Sequence, residues 1–166
     1  MLASAAGAGG AASGASEHED ISWVADYIGI PWTDTGATRQ GVNCWGLVAL
    51  VYRERAGIEV PLYEDWRWES DLKPLSAEAQ ALRRSIGEKI AAEAEAWIPV
   101  PFDARRTLDV ALIRQMGWPC HVGLFIAPNR LLHAEAKLDT ACERLDSERF
   151  MKLNRIIGCY RHARLC

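Results

Sequence analysis

The run Trp45-Gly46-Leu47-Val48-Ala49-Leu50-Val51-Tyr52 constrains this chain more than any other stretch, because it is apolar almost all the way round at helical spacing. Such a segment has no face to give to water, so it predicts a helix buried on most sides with a domain folded around it. Asn43 is a good N-cap residue, which sets Cys44 in the first turn. There the free backbone N–H groups and the positive end of the helix dipole favour a thiolate, so position alone is expected to lower the pKa of Cys44. A nucleophile of this kind needs a base within hydrogen-bond reach and a third group to orient that base.

Two histidines far downstream are the candidates. Residues 108–113 and 121–126 read as strands, and Pro128-Asn129-Arg130 is a turn signal before Leu131-Leu132-His133-Ala134-Glu135. A hairpin closing around residues 127–130 sets His121 and His133 diagonally across one face, about 7–8 Å apart at Cα. Imidazoles span that separation. His121 is then the expected general base toward Cys44, and His133 the group that holds its tautomer and orientation.

At these residues the chain resembles the NlpC-type papain-like cysteine peptidases, and among them the versions encoded with phage tail genes. The family's Asp-Cys-Ser-Gly-Leu-Val-like helix start is matched by Asn43-Cys44-Trp45-Gly46-Leu47-Val48, and its Gly-Asp-Leu-like strand by Leu108-Asp109-Val110-Ala111-Leu112. The family's two histidine-bearing strands are matched by His121-Val122-Gly123-Leu124-Phe125 and Leu132-His133-Ala134, at the family's twelve-residue spacing. Gly29-Ile30-Pro31-Trp32 corresponds to its Gly-x-Pro-Tyr stretch. The Cys-Trp-Gly-Leu variant, followed by Val51-Tyr52-Arg53-Glu54 and Gly57-Ile58, is similar to the phage tail subgroup in particular.

The resemblance implies an α+β papain-like fold, in which a helix bearing the catalytic cysteine packs on a small antiparallel sheet bearing the histidines. It implies Cys44, His121 and His133 as catalytic residues, with Trp32, Asn43 and Trp45 at substrate or oxyanion positions. Asn43 stands where the family usually has aspartate, Trp45 where it has serine and Trp32 where it has tyrosine, which bears on substrate preference more than on reaction type. The implied activity is that of a peptidoglycan endopeptidase cutting stem peptides between D-glutamate and meso-diaminopimelate or lysine. No metal or organic cofactor is implied. The implied partners are the stem peptide and the tip or hub proteins of a phage tail, so that the protein is assembled in the host cytoplasm and acts on the wall in the periplasm.

Composition bounds these expectations. The chain has 166 residues, 49% hydrophobic and 25% charged, with a formal net charge of −3, as one globular domain with extensions would. Its basic residues are scattered, which argues against a nucleic-acid binder. Cys44, Cys120, Cys142, Cys159 and Cys166 contain no Cys-x-x-Cys pair and are odd in number, so a reducing compartment is expected. Cys120, His121, His133 and Cys142 follow no familiar zinc spacing. Cys159 and Cys142 read as small buried residues.

Residues 1–20 are rich in Ala, Gly and Ser and read as a low-complexity extension rather than a signal peptide, leaving 21–166 as the peptidase domain. An enzyme of the wall without an export signal needs another route there, and a phage tail is one. No stretch reaches the length of a membrane span. An insertion occupies about 62–107: Trp66 and Trp68 lie in an aromatic, charged stretch, and Ser76 is expected to cap a helix to about Trp97 with Leu82, Ile86 and Ile90 on one stripe. Residues 155–161 read as a final strand closing the sheet edge. Two alternatives stand beside the enzyme: Cys44 as an inert core cysteine, and a structural tail-tip protein that keeps the peptidase fold with little or no catalysis.

Overall fold

The computed structural model describes residues 20–62, 76–93, 97–136 and 138–166. Expectations for residues 1–19 and for Trp66 and Trp68 lie outside the described residues. The apolar run forms the helix it predicts. After a 3-10 turn at Ser22–Tyr27 and a two-stranded hairpin, β1 (Ala37–Thr38) with β2 (Gly41–Val42), helix α1 spans Cys44–Val51, and all eight of its residues are buried. Asn43 adopts an extended backbone and its side chain accepts from the Gly46 N–H at 2.6 Å, satisfying one of the helix's unpaired first-turn donors. The chain runs on into a π-helical turn at Tyr52–Ala56, ended by Gly57 in the left-handed region. Each large apolar side chain that α1 buries contributes roughly 1.5–3 kcal/mol, which makes this helix the centre of the main core.

Helix α2 spans Ala77–Glu93 and is capped as expected, with Ser76 Oγ accepting from the Ala79 N–H at 3.1 Å. Its buried Ala79 and partly buried Leu82 pack it on the domain's own core; the side chains of Ile86 and Ile90 lie outside the described residues. Trp97 is not the end of this helix. It opens a short strand, β3 (Trp97–Pro99), where its ring meets Trp45 and Tyr52 edge-on.

The remaining strands are β4 (Val110–Gln115), β5 (Trp118–Ile126), β6 (Arg130–Glu135), β7 (Asp139–Arg144) and β8 (Arg155–His162), with helix α3 (Glu148–Leu153) between the last two. They form one antiparallel sheet with β3, in the order β3-β8-β4-β5-β6-β7. Strand β8 therefore lies inside the sheet and does not close its edge as expected, because β3 pairs along its other side.

Side-chain alternation divides the sheet's two faces. Val110, Leu124, Ile126 and Leu132 face the core built on α1, whereas Ala111, Ile113, Phe125 and Leu131 join Leu145 and Phe150 in a second cluster on the α3 side. Cys159 is buried in that second cluster as expected, but Cys142 is only partly buried.

The β5–β6 hairpin carries both candidate histidines. Its ladder runs from Ile126 opposite Arg130 to Leu124 opposite Leu132 and is not continued further, although β5 goes on pairing with β4 and β6 with β7. The two strands separate at the end that holds the histidines. Gly123 sits at the opening, where a Cβ would come within 3.0 Å of His133 Cβ and 2.9 Å of the Leu131 side chain, so a larger residue would crowd His133 and Leu131.

Candidate active site

At the open end of the hairpin the two predicted histidines meet. His121 Nε2 lies 3.0 Å from His133 Nδ1, with both rings buried and their centroids 5.3 Å apart. The diagonal placement read from the sequence is the one the register gives: extending the Leu124–Leu132 pairing sets Gly123 opposite His133 and His121 two residues further along β5, on the same face. The ring of His133 packs edge-on against Phe150 of α3.

Cys44 comes to the same place from α1. It lines a cleft of about 210 Å³ together with His121, Trp32, Gln115, Cys120 and Glu135. The backbone N–H groups of Val122, Trp45 and Cys44 itself bear on the thiol and favour its anion, the Val122 contribution being the largest of the three. The helix-start effect expected from sequence is thus present, but burial outweighs it and pushes the Cys44 thiol up to about 12. Burial, with His133 beside it, holds the His121 imidazole well below its usual range. Both shifts run in the direction that favours the uncharged forms, a thiol and a neutral imidazole. Because His121 Nε2 is engaged with His133, any proton that His121 exchanges with a group in the cleft passes through Nδ1.

The three residues expected at substrate positions are placed differently from one another. Trp32 does line the cleft, held there by its N–H to Asp139 Oδ1 at 2.9 Å, while the neighbouring Ile30 N–H donates to Thr140 Oγ1 at 2.6 Å. Its indole N–H is directed to Asp34 Oδ1 at 3.3 Å. Asn43 acts as the helix cap, with its amide also donating to the Asp34 carbonyl at 3.1 Å, so both ends of the side chain serve the fold. Trp45 is turned into the core, its indole N–H donating to the Pro61 carbonyl at 2.8 Å. One residue along an α-helix is a rotation of about 100°, which carries Trp45 off the face that Cys44 presents.

Sequence reasoning missed a second layer of polar residues. His133 Nε2 lies 2.9 Å from Glu143 Oε2 on β7, and Arg149 of α3 grips both Glu143 and Glu135, reaching Glu135 Oε2 at 2.7 Å. Gln115 donates to Glu135 Oε1 at 3.2 Å and to Asn154 Oδ1 at 2.6 Å. The strand alternation holds the signal for Glu143: His133 pairs with Ala141, so Glu143 two residues on shares its face. His121, His133 and Glu135 also bring three possible metal-ligand atoms within 4.8 Å of one another, but two of these are turned toward each other at hydrogen-bond distance.

A thiol at the first turn of a buried helix, sharing a cleft with a histidine on an antiparallel sheet that has a second histidine behind it, defines an α+β protein of the papain-like class. Within that class the chain belongs to the NlpC/P60 family, whose model matches residues 29–156. Among curated proteins it is 26% identical over 110 residues to the murein DD-endopeptidase MepS/murein LD-carboxypeptidase of Escherichia coli K12, covering 66% of this chain and 45% of that protein. It thus spans about half the length of the curated relatives it matches.

Solved structures with the same fold include an NlpC/P60 family protein from Bacillus cereus (TM-score 0.56, 16% identity, 84% of this chain and 37% of that one). An NLP/P60 family protein from Staphylococcus aureus, described as similar to a lipoprotein, superposes with a TM-score of 0.52 at 20% identity, over 84% of this chain and 38% of that one. The NlpC/p60 domain of the peptidoglycan hydrolase SagA gives 0.53 at 14% identity, over 83% of this chain and 92% of that domain.

Proposed function

We propose that the protein is a cysteine endopeptidase of peptidoglycan stem peptides, with Cys44 as nucleophile, His121 as general base and acid, and His133 as the residue that orients His121. The observation that carries this reading is the 3.0 Å contact between His121 Nε2 and His133 Nδ1 in the cleft that Cys44 lines. His121 Nδ1 takes the thiol proton as sulfur attacks the amide carbonyl, and returns it to the leaving amine as the tetrahedral intermediate collapses to an acyl-enzyme. Water then attacks the thioester with the same histidine as base. Backbone N–H groups at the start of α1 are the donors available to the oxyanion. Family membership supports the reaction class, and the E. coli relative is named as a murein endopeptidase.

We further place the protein on a phage tail, where it opens the wall locally during genome delivery. What supports this is the Asn43-Cys44-Trp45-Gly46-Leu47 variant of the helix start and the residues after it, which resemble the tail-associated members.

Purified protein incubated with sacculi is expected to release stem-peptide fragments identifiable by mass spectrometry, and Cys44→Ala to release none. Equal release by both, or none by wild type, would remove the enzyme and leave a tail-tip structural protein that has kept the fold.

A further inference from the structure

We propose that Glu143, clamped by Arg149, is a positioning residue that fixes the tautomers of both imidazoles and thereby directs a lone pair of His121 Nδ1 at Cys44. The proposal rests on the assignment of Cys44 and His121 as nucleophile and base. Its ground is the matching of donors to acceptors along a chain of short contacts that begins on β7 and ends at the cleft.

An ionised carboxylate only accepts hydrogen bonds. Glu143 Oε2 lies 2.9 Å from His133 Nε2, so that nitrogen carries the proton. In a neutral imidazole the other nitrogen is then an acceptor, and His133 Nδ1 faces His121 Nε2 at 3.0 Å. His121 Nε2 must therefore donate, which leaves Nδ1 unprotonated. With both imidazoles neutral, reversing any one link sets two donors or two acceptors against each other in a buried site, where an unmade hydrogen bond is costly.

The surroundings keep Glu143 in its role. Arg149 holds Glu143 with one guanidinium nitrogen and Glu135 with another at 2.7 Å, so α3 is tied to β6 and β7 behind the histidines. Hydrogen bonding from His133 and Arg149 holds the Glu143 carboxyl down at about 2, so it stays ionised wherever the enzyme works. Glu135 does not compete for His133: its Oε1 is 3.6 Å from Nδ1, beyond hydrogen-bond distance, and accepts from Gln115 instead. The charged or titratable groups around His121 are thus Cys44 from α1, Cys120 beside it on β5, His133 and Glu135 from β6, Glu143 from β7 and Arg149 from α3. During turnover the thiol proton moves to His121 Nδ1 and no proton passes to Glu143. Its charge stabilises the imidazolium through His133.

The test combines kinetics with nitrogen-15 NMR of histidine-labelled full-length protein. Wild type is expected to show both imidazoles as the Nε2–H tautomer. Glu143→Ala is expected to mix those tautomers and to lower kcat by about 10²-fold or more with KM little changed. Losing the carboxylate also makes the imidazolium less stable, so the acid limb of its kcat/KM profile moves to lower pH. Glu143→Gln, which keeps an acceptor oxygen, is expected to recover part of kcat. A folded Glu143→Ala variant with wild-type kcat and pH profile would overturn the proposal. So would a wild-type spectrum with the proton on His121 Nδ1, a measurement that needs no variant to fold and no turnover. Wild type that is inactive on sacculi would sink the peptidase reading while the NMR still decided the tautomer chain.

Discussion

At the scale of single residues, burial shifts both Cys44 and His121 away from their ordinary behaviour. Burial raises Cys44 to about 12 and lowers His121 well below its usual value, so both ions are disfavoured and, in the proposed mechanism, the proton moves as sulfur attacks the substrate. A base with a depressed pKa keeps its unprotonated form further into acid, so the acid limb of kcat/KM on a defined stem peptide is expected well below pH 6.5. The same burial favours the thiol form of Cys44, so no second rise is expected from thiol ionisation between about pH 8 and 9. A profile measured from pH 4 to 10 checks both, and an acid limb above 6.5 would contradict the depressed imidazole. The placement of Cys44 at a helix start and of His121 beside His133 was legible in the sequence because a helix start and a hairpin register are local properties. The direction of the thiol's shift was not, since it depends on how deeply α1 is buried. Nor was Glu143, whose role is set by a neighbouring strand and by Arg149 from a helix beyond it.

At the scale of elements, α1 owes its position to one close approach. A Cβ on Gly46 would meet the Gly36 carbonyl oxygen at 1.7 Å, and the same carbonyl accepts from the Asn43 N–H at 3.0 Å. Backbone of the segment before β1 is therefore pressed directly onto the first turn that holds Cys44. Gly46→Ala is expected to cost about 1–3 kcal/mol in denaturant unfolding and, if Cys44 is the nucleophile as proposed, to reduce activity beyond what the lost stability explains, because the turn bearing Cys44 must shift. A variant with wild-type kcat and midpoint would show that the approach is looser than this. The sequence showed the glycine in a helix interior, where it costs stability, without showing what it accommodates. The same blindness to partners explains the misplaced end of the sheet. Trp97 closes an apparently helical stretch in sequence, yet Trp97–Pro99 pairs with residues 160–162 to form β3, and a strand so short has no periodicity to betray it.

At the scale of the whole molecule, distant parts of the chain converge on Asp109, away from the cleft. Its carboxylate is 1% exposed and takes two hydrogen bonds from Arg161 of β8, from Nε at 2.8 Å and from a terminal nitrogen at 2.7 Å. Its backbone carbonyl accepts from Phe125 of β5 at 2.8 Å, and the preceding Leu108 carbonyl accepts from the hydroxyl of Tyr52, just past α1, at 2.7 Å. The turn before β4 is thus where the cysteine helix, the histidine strand and the last strand of the sheet are fixed to one another. The Leu-Asp-Val match in sequence marked this aspartate only as part of a strand, because Arg161 lies 52 residues away and its partnership is not visible until the sheet is assembled. Asp109→Ala leaves a largely buried guanidinium without its carboxylate, and a loss of about 3–5 kcal/mol is expected. Denaturant unfolding should show a lower midpoint with an unchanged slope, since the surface exposed on unfolding is the same. Asp109→Ala/Arg161→Leu, which removes both charges, should regain much of that loss. If the double variant were no more stable than the single one, the pair would be holding the fold by geometry rather than by cancelling a buried charge.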